Sequence, residues 1–339
     1  MMKVTTVGLD LAKNVFSLHG VDERSNPVLR RTVRRAKLLE CFAQLPPCVV
    51  GMEACSGAQH WARELRKLGH DPRLMAAEFV APYRQGGKND ANDAEAICEA
   101  VARPKTRFVS IKSVEQQAVL AVHRLRQGLV EERTALANRL RGLLAEYGVV
   151  VGVGLDRLRH ALPEILEDGE NGIPGIAREV FADAGEQLRE LDVRIAAYDR
   201  RLTALARASE PAKRLMKIEG VGPVTATAVI ASIGDGKVFR NGRQLAAWLG
   251  LTPRQHSTGG KQRLGVMTKH GDVYLRTLLI HGARAVLRIT PNRDDAKSRW
   301  AESLRRRRPD NVAAVALAAK HARIMWALLV RGKEYQVIA

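Results

Sequence analysis

Short apolar runs separated by polar residues fill residues 1–105, and amphipathic stretches with helical spacing follow several of them. The runs predict five strands and the spacing predicts three helices. We expect the strands at Val4–Leu9, Val15–His19, Val28–Val33, Cys48–Met52 and Asp71–Leu74, and the helices at Ala36–Gln44, Gly57–Leu68 and Ala91–Ala102. Three strands come first and helices then alternate with strands. This order is typical of a mixed sheet with helices on its faces.

Residues 110–208 have helical periodicity instead. Apolar residues recur at helical spacing at Val122, Leu125, Leu129, Leu136, Leu140 and Leu143. Two series with seven-residue spacing follow, Leu188, Ile195, Leu202 and Leu191, Tyr198, Leu205, which form the a/d seam of about three heptads. Two long helices separated by a Gly- and Pro-containing stretch predict a helical hairpin or a coiled coil between subunits. An amphipathic helix packed on its own domain's core is an equally good interpretation.

The segment LMKIEGVGPVTATAVIASIGD, from Leu215, predicts a helix, a glycine turn and a second helix. Gly220 and Gly222 permit a tight turn, and the N-terminus of the second helix can face a phosphate. This pattern indicates a helix-hairpin-helix element, which binds the DNA backbone without reading its sequence. An ordinary corner between two helices is the alternative. The apolar segment NVAAVALAAKHARIMWALLV predicts a core helix.

The composition indicates a folded protein with a real core, because 46% of the 339 residues are hydrophobic. No apolar stretch approaches the roughly 20 residues that span a bilayer. The N-terminus has no signal-peptide pattern, so we expect a cytoplasmic protein without membrane contact. The four cysteines, Cys41, Cys48, Cys55 and Cys98, form no CxxC pair. They are interpreted as buried thiols rather than zinc ligands or disulfides.

The net charge of +19, with a pI of about 10.3, predicts a polyanionic partner, and nucleic acid is the usual one. The excess is uneven, because residues 254–339 contain eighteen Lys and Arg against six Asp and Glu. We therefore expect the C-terminal part to supply much of the phosphate-binding surface. Only 4% of the residues are aromatic, which makes stacking on single-stranded bases a minor mode.

Four carboxylates occupy informative positions. Asp10 follows the first predicted strand, Glu53 follows the fourth, and Asp90 and Asp93 lie three apart, on one face of a helix. Each one alone could be a turn former or a helix start. Together they offer the hard oxygen ligands that Mg²⁺ prefers, and two such ions can stabilise both oxygens of a phosphodiester exchange. The order Asp, Glu, Asp pair is the layout of the ribonuclease H-like fold in its Holliday-junction-resolvase (RuvC-like) branch.

The segment LTPRQHSTGGKQR predicts a Pro- and Gly-containing loop around the Ser257 hydroxyl. Arg254, Lys261 and Arg263 could neutralise a phosphorane-like transition state there, and the glycines would let a DNA backbone approach. The residues alone favour an ordinary loop residue over a catalytic one as the interpretation of Ser257. They likewise favour an exposed loop histidine as the interpretation of His256.

The chain resembles the DEDD-type transposases of bacterial insertion sequences, the family of bridge-RNA-guided recombinases. The matching stretches cover nearly the whole chain: GLDLAK, GMEACSG, GGKNDANDAEAI, EGVGPVTATAVIASIGD and LAAWLGLTPRQHSTGGKQRLGVMTKHGDVYLRTLLIHGARA. The resemblance implies a RuvC-like α/β catalytic domain at 1–107, a helical coiled-coil linker at 108–208, and a mostly helical transposase domain with the helix-hairpin-helix-like element at 209–339.

The resemblance also implies chemistry. Asp10, Glu53, Asp90 and Asp93 would hold Mg²⁺ or Mn²⁺, and Ser257 would attack a scissile phosphate through a transient phosphoserine; Thr258 is the neighbouring hydroxyl. Expected nucleic-acid contacts are Arg254, Lys261, Arg263, Lys269, Arg276, Gly220 and Gly222.

The implied function is a DNA recombinase that moves its own insertion sequence. Its partners would be double-stranded DNA at the element ends and target, a structured non-coding bridge RNA, and further copies of itself in a dimer or tetramer. Its place would be the bacterial cytoplasm, with the nucleoid. Two alternatives stay open: a junction resolvase that uses water and needs no Ser257, and a non-catalytic nucleic-acid-binding protein.

Overall fold

The computed structural model describes residues 3–87 and 89–336, and the chain divides into two units, Met1–Ser113 and Val114–Ala339. The first unit is α/β and the second is mostly helical. The division into three domains, at 107/108 and 208/209, stays a prediction.

A mixed sheet forms the centre of the first unit. Its strands are β1 (Thr6–Leu11), β2 (Val15–Val21), β3 (Pro27–Arg34), β4 (Val49–Glu53), β5 (Asp71–Met75) and β6 (Phe108–Val109). The order across the sheet is β3-β2-β1-β4-β5-β6. β1, β4 and β5 run parallel, while β2, β3 and β6 are antiparallel to their neighbours. All the predicted strands are present, and this mixed sheet is compatible with a ribonuclease H-like transposase domain.

Four helices accompany the sheet: α1 (Leu38–Ala43), α2 (Ala58–Lys67), α3 (Ala77–Val80) and α4 (Asp90–Ala102). The helix expected at Ala36–Gln44 is shorter than predicted, because a 3-10 turn occupies Arg35–Lys37. The apolar residues of the sheet, α1 and α2 form one core, centred on Phe16, Phe42 and Leu65. Three of the cysteines are buried, but Cys55 is exposed, which corrects the expectation for that residue.

Two glycines let α4 lie directly on the sheet. Gly8 of β1 and Gly51 of β4 are paired across the parallel ladder. A Cβ on Gly8 would lie 2.1 Å from the carbonyl oxygen of Ala94, and a Cβ on Gly51 would lie 2.8 Å from the Cβ of Val101. Because no side chain separates the backbones, the first turn of α4 is fixed close to the end of the sheet.

We expect Gly8→Ala to destabilise the protein by about 3 kcal/mol, because the added methyl group must displace the α4 backbone and overpacking of this kind is costly. Gly87→Ala is the control, since a Cβ on Gly87 meets nothing within 4 Å. Urea unfolding of both variants measures the difference. Equal midpoints for the two variants would show that α4 does not depend on this close approach.

The second unit contains nine helices and one two-stranded sheet in its described part. The helices are α5 (Val114–Ala145), α6 (Leu155–Glu167), α7 (Gly175–Ala208), α8 (Glu210–Met216), α9 (Pro223–Ile233), α10 (Gly242–Trp248), α11 (Val273–Ile289), α12 (Ala296–Arg305) and α13 (Asp310–Arg331), and the strands are β7 (Pro253–Gln255) and β8 (Leu264–Met267).

The long helices α5 and α7 form a helical hairpin within one chain, with α6 between them. The seam residues Leu188, Leu191 and Ile195 are buried in one cluster with Leu136 and Leu140 of α5. Ion pairs from Arg133 to Asp192 at 2.8 Å and from Arg126 to Asp199 at 2.5 Å connect α5 to α7. The hairpin alternative is therefore the observed one. Because Leu188, Leu191 and Ile195 pack within the chain, these seam residues are not exposed for pairing with another subunit. Pairing of subunits through other residues of 108–208 stays a prediction.

Leu191→Asp should unfold the helical hairpin rather than separate subunits. Leu191 is 6% exposed, and truncation of a buried leucine alone costs about 2–5 kcal/mol before the carboxylate is desolvated. Val193→Asp, on the same helix at 67% exposure, should change stability by less than about 0.5 kcal/mol. Chemical denaturation and light scattering together test this. A smaller mass with unchanged stability in Leu191→Asp would restore the intersubunit interpretation.

The remaining helices pack around α9, α11 and α13. His123 of α5 is fully buried and makes hydrogen bonds of 3.0 Å to Tyr274 Oη of α11 and Thr227 Oγ1 of α9, so it connects three helices. Burial, and after it the positive charges of Arg126 and Arg124, lower the pKa of His123 to about 4. The histidine therefore stays neutral and serves as a structural hydrogen-bonding centre.

α13 is long and apolar enough to cross a membrane by length and composition, contrary to the expectation that no segment approaches that limit. Its residues Leu317, Ala318 and Met325 are nevertheless buried in the main core of the second unit. A core helix meets the same length and composition criterion, and the predicted core position of this segment is the observed one.

Candidate active site: a carboxylate cluster and a serine hairpin

The structure brings Asp10, Glu53, Asp90 and Asp93 to the same end of the sheet; we call them the carboxylate cluster. β1 continues through Leu11, so Asp10 lies within the strand rather than after it. Leu9 of β1 is paired with Met52 of the parallel strand β4. Asp10 is the residue after Leu9, and Glu53 is the residue after Met52. Both side chains are half-buried.

The other two carboxylates come from the first turn of α4. Asn89 caps this helix, because its side chain accepts a hydrogen bond of 2.8 Å from the Asn92 N–H. The cap fixes where the helix begins and thereby places Asp90 and Asp93 in its first turn. Asp90 is exposed and Asp93 is half-buried. The adjacent Lys88 lies outside the described residues.

The charges of the cluster act on one another. Burial raises the pKa of Asp10 to about 6, and the negative charges of Asp90, Asp93 and Glu53, in that order, contribute to the increase. A backbone hydrogen bond from Leu11 opposes it. A carboxylate that is desolvated beside three others favours a proton or a cation. The oxygen donors and this repulsion both suit a divalent cation such as Mg²⁺.

Arg84 offsets part of the negative charge, because its Nε contacts Asp93 Oδ1 in a partly buried ion pair. Within residues 3–87 and 89–336, no three Asp, Glu, His or Cys side chains are close enough to coordinate one ion. Binding of an ion by the cluster would therefore require the side chains to move, with Asp93 exchanging its contact with Arg84. Sequence reasoning did not single out Arg84, which lies just outside the quoted motif GGKNDANDAEAI.

Ser257 lies in a β-hairpin, not in the irregular loop that was predicted. β7 and β8 pair with Gln255 opposite Leu264, and a bridge joins Thr258 to Lys261. Gly259 and Gly260 form the tip with φ values of 55° and 75°, the conformation of a two-residue type I′ turn. The Gly-Gly dipeptide is a sequence signal for this turn and could have revealed it. We call residues 253–267 the serine hairpin.

The Ser257 hydroxyl is exposed and oriented by its neighbours. Its Oγ accepts hydrogen bonds from Gln255 Nε2 at 2.9 Å and from the Arg263 N–H at 3.3 Å. Both contacts use the oxygen as acceptor, so neither of them uses the hydroxyl proton. Arg254, Lys261 and Arg263 are exposed, and no ion pair neutralises them in the described part of the chain. This arrangement can present a nucleophilic oxygen among cations.

The two other basic residues predicted to contact nucleic acid differ from each other. Lys269 is exposed, with its backbone in the left-handed region at φ 58°. Arg276 is buried, and its Nη1 donates to the carbonyl oxygens of Leu249 at 3.2 Å and His270 at 2.8 Å. The structure therefore places Arg276 as an internal support for the base of the serine hairpin, away from a phosphate-binding surface.

The predicted order of a helix, a glycine turn and a second helix is observed at α8 and α9. Gly220 has φ 79° and faces α11, where a Cβ on Gly282 would lie 2.0 Å from the Gly220 carbonyl oxygen. Glu219 pairs with Arg293 and Lys297. Gly222 is exposed and caps α9. Gly220 is thus a packing residue, whereas the backbone at Gly222 is accessible; binding of DNA by this turn stays a prediction.

Comparisons with known proteins agree with the positions of both elements. The family model described as Transposase IS116/IS110/IS902 family matches residues 212–298, and a transposase model of the DEDD IS110 type matches residues 7–149. The first match includes the serine hairpin and the second includes the whole carboxylate cluster.

Three relatives are similar over nearly the whole chain. A probable family 20 transposase of Pseudomonas aeruginosa is 53% identical, covering 99% of each chain. The transposase for insertion sequence element IS1111A of Coxiella burnetii is 45% identical over 99% of this chain and 92% of its own. The transposase for insertion sequence element IS1328 of Yersinia enterocolitica is 36% identical over 98% of both chains.

Proposed function

Because this chain belongs to the IS110 family of DEDD-type insertion-sequence transposases, enzymes that cleave and rejoin DNA, we propose that it moves its own insertion sequence with Ser257 as the nucleophile. The observation that carries this proposal is the meeting of four carboxylates at one end of the mixed sheet, where burial and then the charges of the other three carboxylates raise the pKa of Asp10. The second support is an exposed serine oxygen held among unpaired cations.

Asp10, Glu53, Asp90 and Asp93 would hold Mg²⁺ or Mn²⁺. A divalent ion supplies charge stabilisation to a phosphoryl transfer and favours a deprotonated nucleophile. The protein's own contribution at this site is to carry the carboxylates on a sheet and a capped helix, so that only side chains need to move when an ion binds. Asp93 would exchange its contact with Arg84 for the ion.

At the serine hairpin, Ser257 Oγ would attack the phosphorus of a scissile phosphodiester. The new bond joins Oγ to phosphorus, the bond to the leaving strand oxygen breaks, and that oxygen takes up a proton while the serine proton passes to water. One phosphodiester bond is replaced by another, so the bond energy is conserved in the phosphoserine ester. A DNA hydroxyl can therefore reverse the step and rejoin strands. Arg254, Lys261 and Arg263 would stabilise the charge that develops on the phosphoryl oxygens.

Partners follow from the reaction. Cutting at element ends and target requires more than one active site, so the working form would be an oligomer of this chain on double-stranded DNA. The net charge of +19 supports binding of DNA together with a structured guide RNA, as in the bridge-RNA-guided recombinases. Its substrate would be bacterial genomic DNA, which places the protein with the nucleoid in the cytoplasm.

The test uses supercoiled DNA, Mg²⁺ and a synthetic RNA that covers the non-coding sequence of the element. The proposal expects a covalent protein–DNA band on a denaturing gel that disappears after protease treatment. Clean nicks without such a band would instead support a junction resolvase, which needs the carboxylate cluster and a water molecule but not Ser257. Omission of the RNA from a parallel reaction tests guidance separately.

A further inference from the structure

A groove on the second unit has an excess of positive charge, and none of its lining residues belongs to the serine hairpin. It encloses about 320 Å³ where the end of α11 meets α12 and the beginning of α13. Arg284 and Arg288 of α11 line it, one turn apart on the same face. Arg305, Asp310 and Asn311 complete its polar lining. We call it the arginine groove.

One arginine fixes the shape of the groove. Arg305 pairs with Asp310 at 2.9 Å and with Glu302 at 3.1 Å, and it donates to the Leu287 carbonyl oxygen at 3.2 Å. These contacts join α12 to both α11 and α13. The charge of Arg305 is therefore neutralised within the protein, and this residue serves to hold the walls together.

The other two arginines keep their charge available. Arg284 Nη2 donates to the Asn311 Oδ1 at 2.9 Å, a neutral acceptor that orients the guanidinium without neutralising it. Arg288 is exposed, and its side chain forms no ion pair or hydrogen bond within residues 3–87 and 89–336. Asp310 is the only acidic residue in the lining, and it is already paired with Arg305. The groove therefore has a net positive charge without an internal partner.

The positive charge extends beyond the groove. Arg306, Arg307 and Arg308 follow Arg305 directly, are exposed, and form no ion pair in the part of the chain that the structure describes. The apolar part of the lining consists of Leu287 and Pro291, with no aromatic ring on which a base could stack. An extended polyanion therefore fits this surface better than an isolated base or a small neutral ligand.

We propose that the arginine groove binds the phosphodiester backbone of a DNA duplex, with Arg284 and Arg288 as the phosphate contacts and Arg305 as the positioning residue. This inference rests on the proposed action on DNA and adds a second contact surface to it. Recognition is independent of sequence, because guanidinium groups on phosphate oxygens position a duplex without reading its bases. The groove anchors a duplex whose scissile phosphate reacts elsewhere.

The experiment uses the full chain and compares two double variants of equal charge. Arg284→Gln with Arg288→Gln removes the two contacts. Arg200→Gln with Arg207→Gln removes two exposed arginines of α7 that have no ion pair in the described chain. Binding of a labelled DNA duplex and of an RNA duplex of the same sequence is measured at several salt concentrations between about 50 and 200 mM.

The slope of log affinity against log salt is negative, and we expect its magnitude to be smaller by about 1–2 in the groove variant. Each phosphate contact contributes about 0.9 to that magnitude. Affinity at the lowest salt should fall at least about tenfold, and the α7 variant should keep the wild-type slope. A slope that falls with the RNA duplex alone would assign the groove to RNA and overturn the proposal. Equal slopes for wild type and the groove variant with both duplexes would overturn the proposal.

Two further measurements separate the possible failures. Arg284→Lys with Arg288→Lys keeps the charge, and its slope should stay near the wild-type value; thermal melting checks that each variant is folded. The covalent-adduct assay is run on the wild type in parallel. An adduct with an unchanged groove slope would refute the groove alone, whereas a reduced slope without any wild-type adduct would refute the serine mechanism alone.

Discussion

Asp10→Asn should abolish strand cleavage and at the same time stabilise the metal-free protein. The substitution removes a ligand from the carboxylate cluster, so cleavage should fall by at least about 10³-fold, while DNA binding should persist because no phosphate contact is lost. Stability should rise because Asp10 is ionised at neutral pH beside three other carboxylates. Active sites commonly combine function with local strain in this way.

The direction in which stability changes with pH follows from the direction of the change in the pKa of Asp10. The folded pKa of Asp10 is about 6, above the reference value of 3.8. Between these values the folded state binds more protons than the unfolded state, so stability decreases as pH rises, and the full cost is present above pH 6. Because Asp10 is half-exposed, solvent screening reduces this cost to about 1 kcal/mol. The asparagine variant should lack this part of the pH dependence.

Thermal denaturation in EDTA at pH 5 and pH 7.5, with and without Mg²⁺, measures these effects. Wild type should gain stability from Mg²⁺ by mass action, and Asp10→Asn should gain much less. Glu23→Gln, an exposed carboxylate in the same unit, is the matched control and should behave as wild type. Normal cleavage by Asp10→Asn, or a lower melting temperature in EDTA at pH 7.5, would show that the cluster is not a strained metal site.

Asp93→Asn should separate the two effects. This carboxylate already pairs with Arg84, so its removal leaves a partly buried guanidinium without its partner. We expect loss of cleavage, as for Asp10→Asn, but no stabilisation in EDTA. The comparison distinguishes a carboxylate that suffers repulsion from one whose charge is balanced.

The elements that the sequence predicted best were those whose signals are local. The strands are short apolar runs bounded by polar residues, and α4 begins at the Asn89 cap. The pairing of the Asp10 strand with the Glu53 strand follows from the α/β order, so the cluster could be anticipated. β6 has only two residues and leaves no periodic signal.

What escaped prediction depends on contacts between distant segments. Gly8 and Gly51 matter because α4 crosses them, and Arg276 is internal because the carbonyl oxygens of Leu249 and His270 accept its hydrogen bonds. No local pattern distinguishes such an arginine from a phosphate ligand. The heptad seam was equally ambiguous, since the same leucine spacing serves a partner subunit or, as observed, the chain's own α5.

Ser257→Ala should remove the covalent adduct and recombination while leaving the fold intact. The side chain is exposed, so loss of one oxygen removes only the hydrogen bonds from Gln255 and from the Arg263 N–H, and the β7–β8 pairing remains. Metal-dependent stabilisation and DNA affinity should equal those of the wild type. The adduct should fall by at least about 10³-fold, as expected when a nucleophile is removed.

Thr258→Ala is the matched control, because Thr258 belongs to the same hairpin but joins Lys261 through its backbone. Its hydroxyl can be removed without loss of that bridge, so this variant should retain substantial adduct formation. Labelled DNA is analysed on denaturing gels before and after protease. An adduct that survives in Ser257→Ala and vanishes in Thr258→Ala would assign the attack to the neighbouring hydroxyl. If both variants cleave as the wild type does and no lane contains an adduct, water is the nucleophile and the serine hairpin has another role.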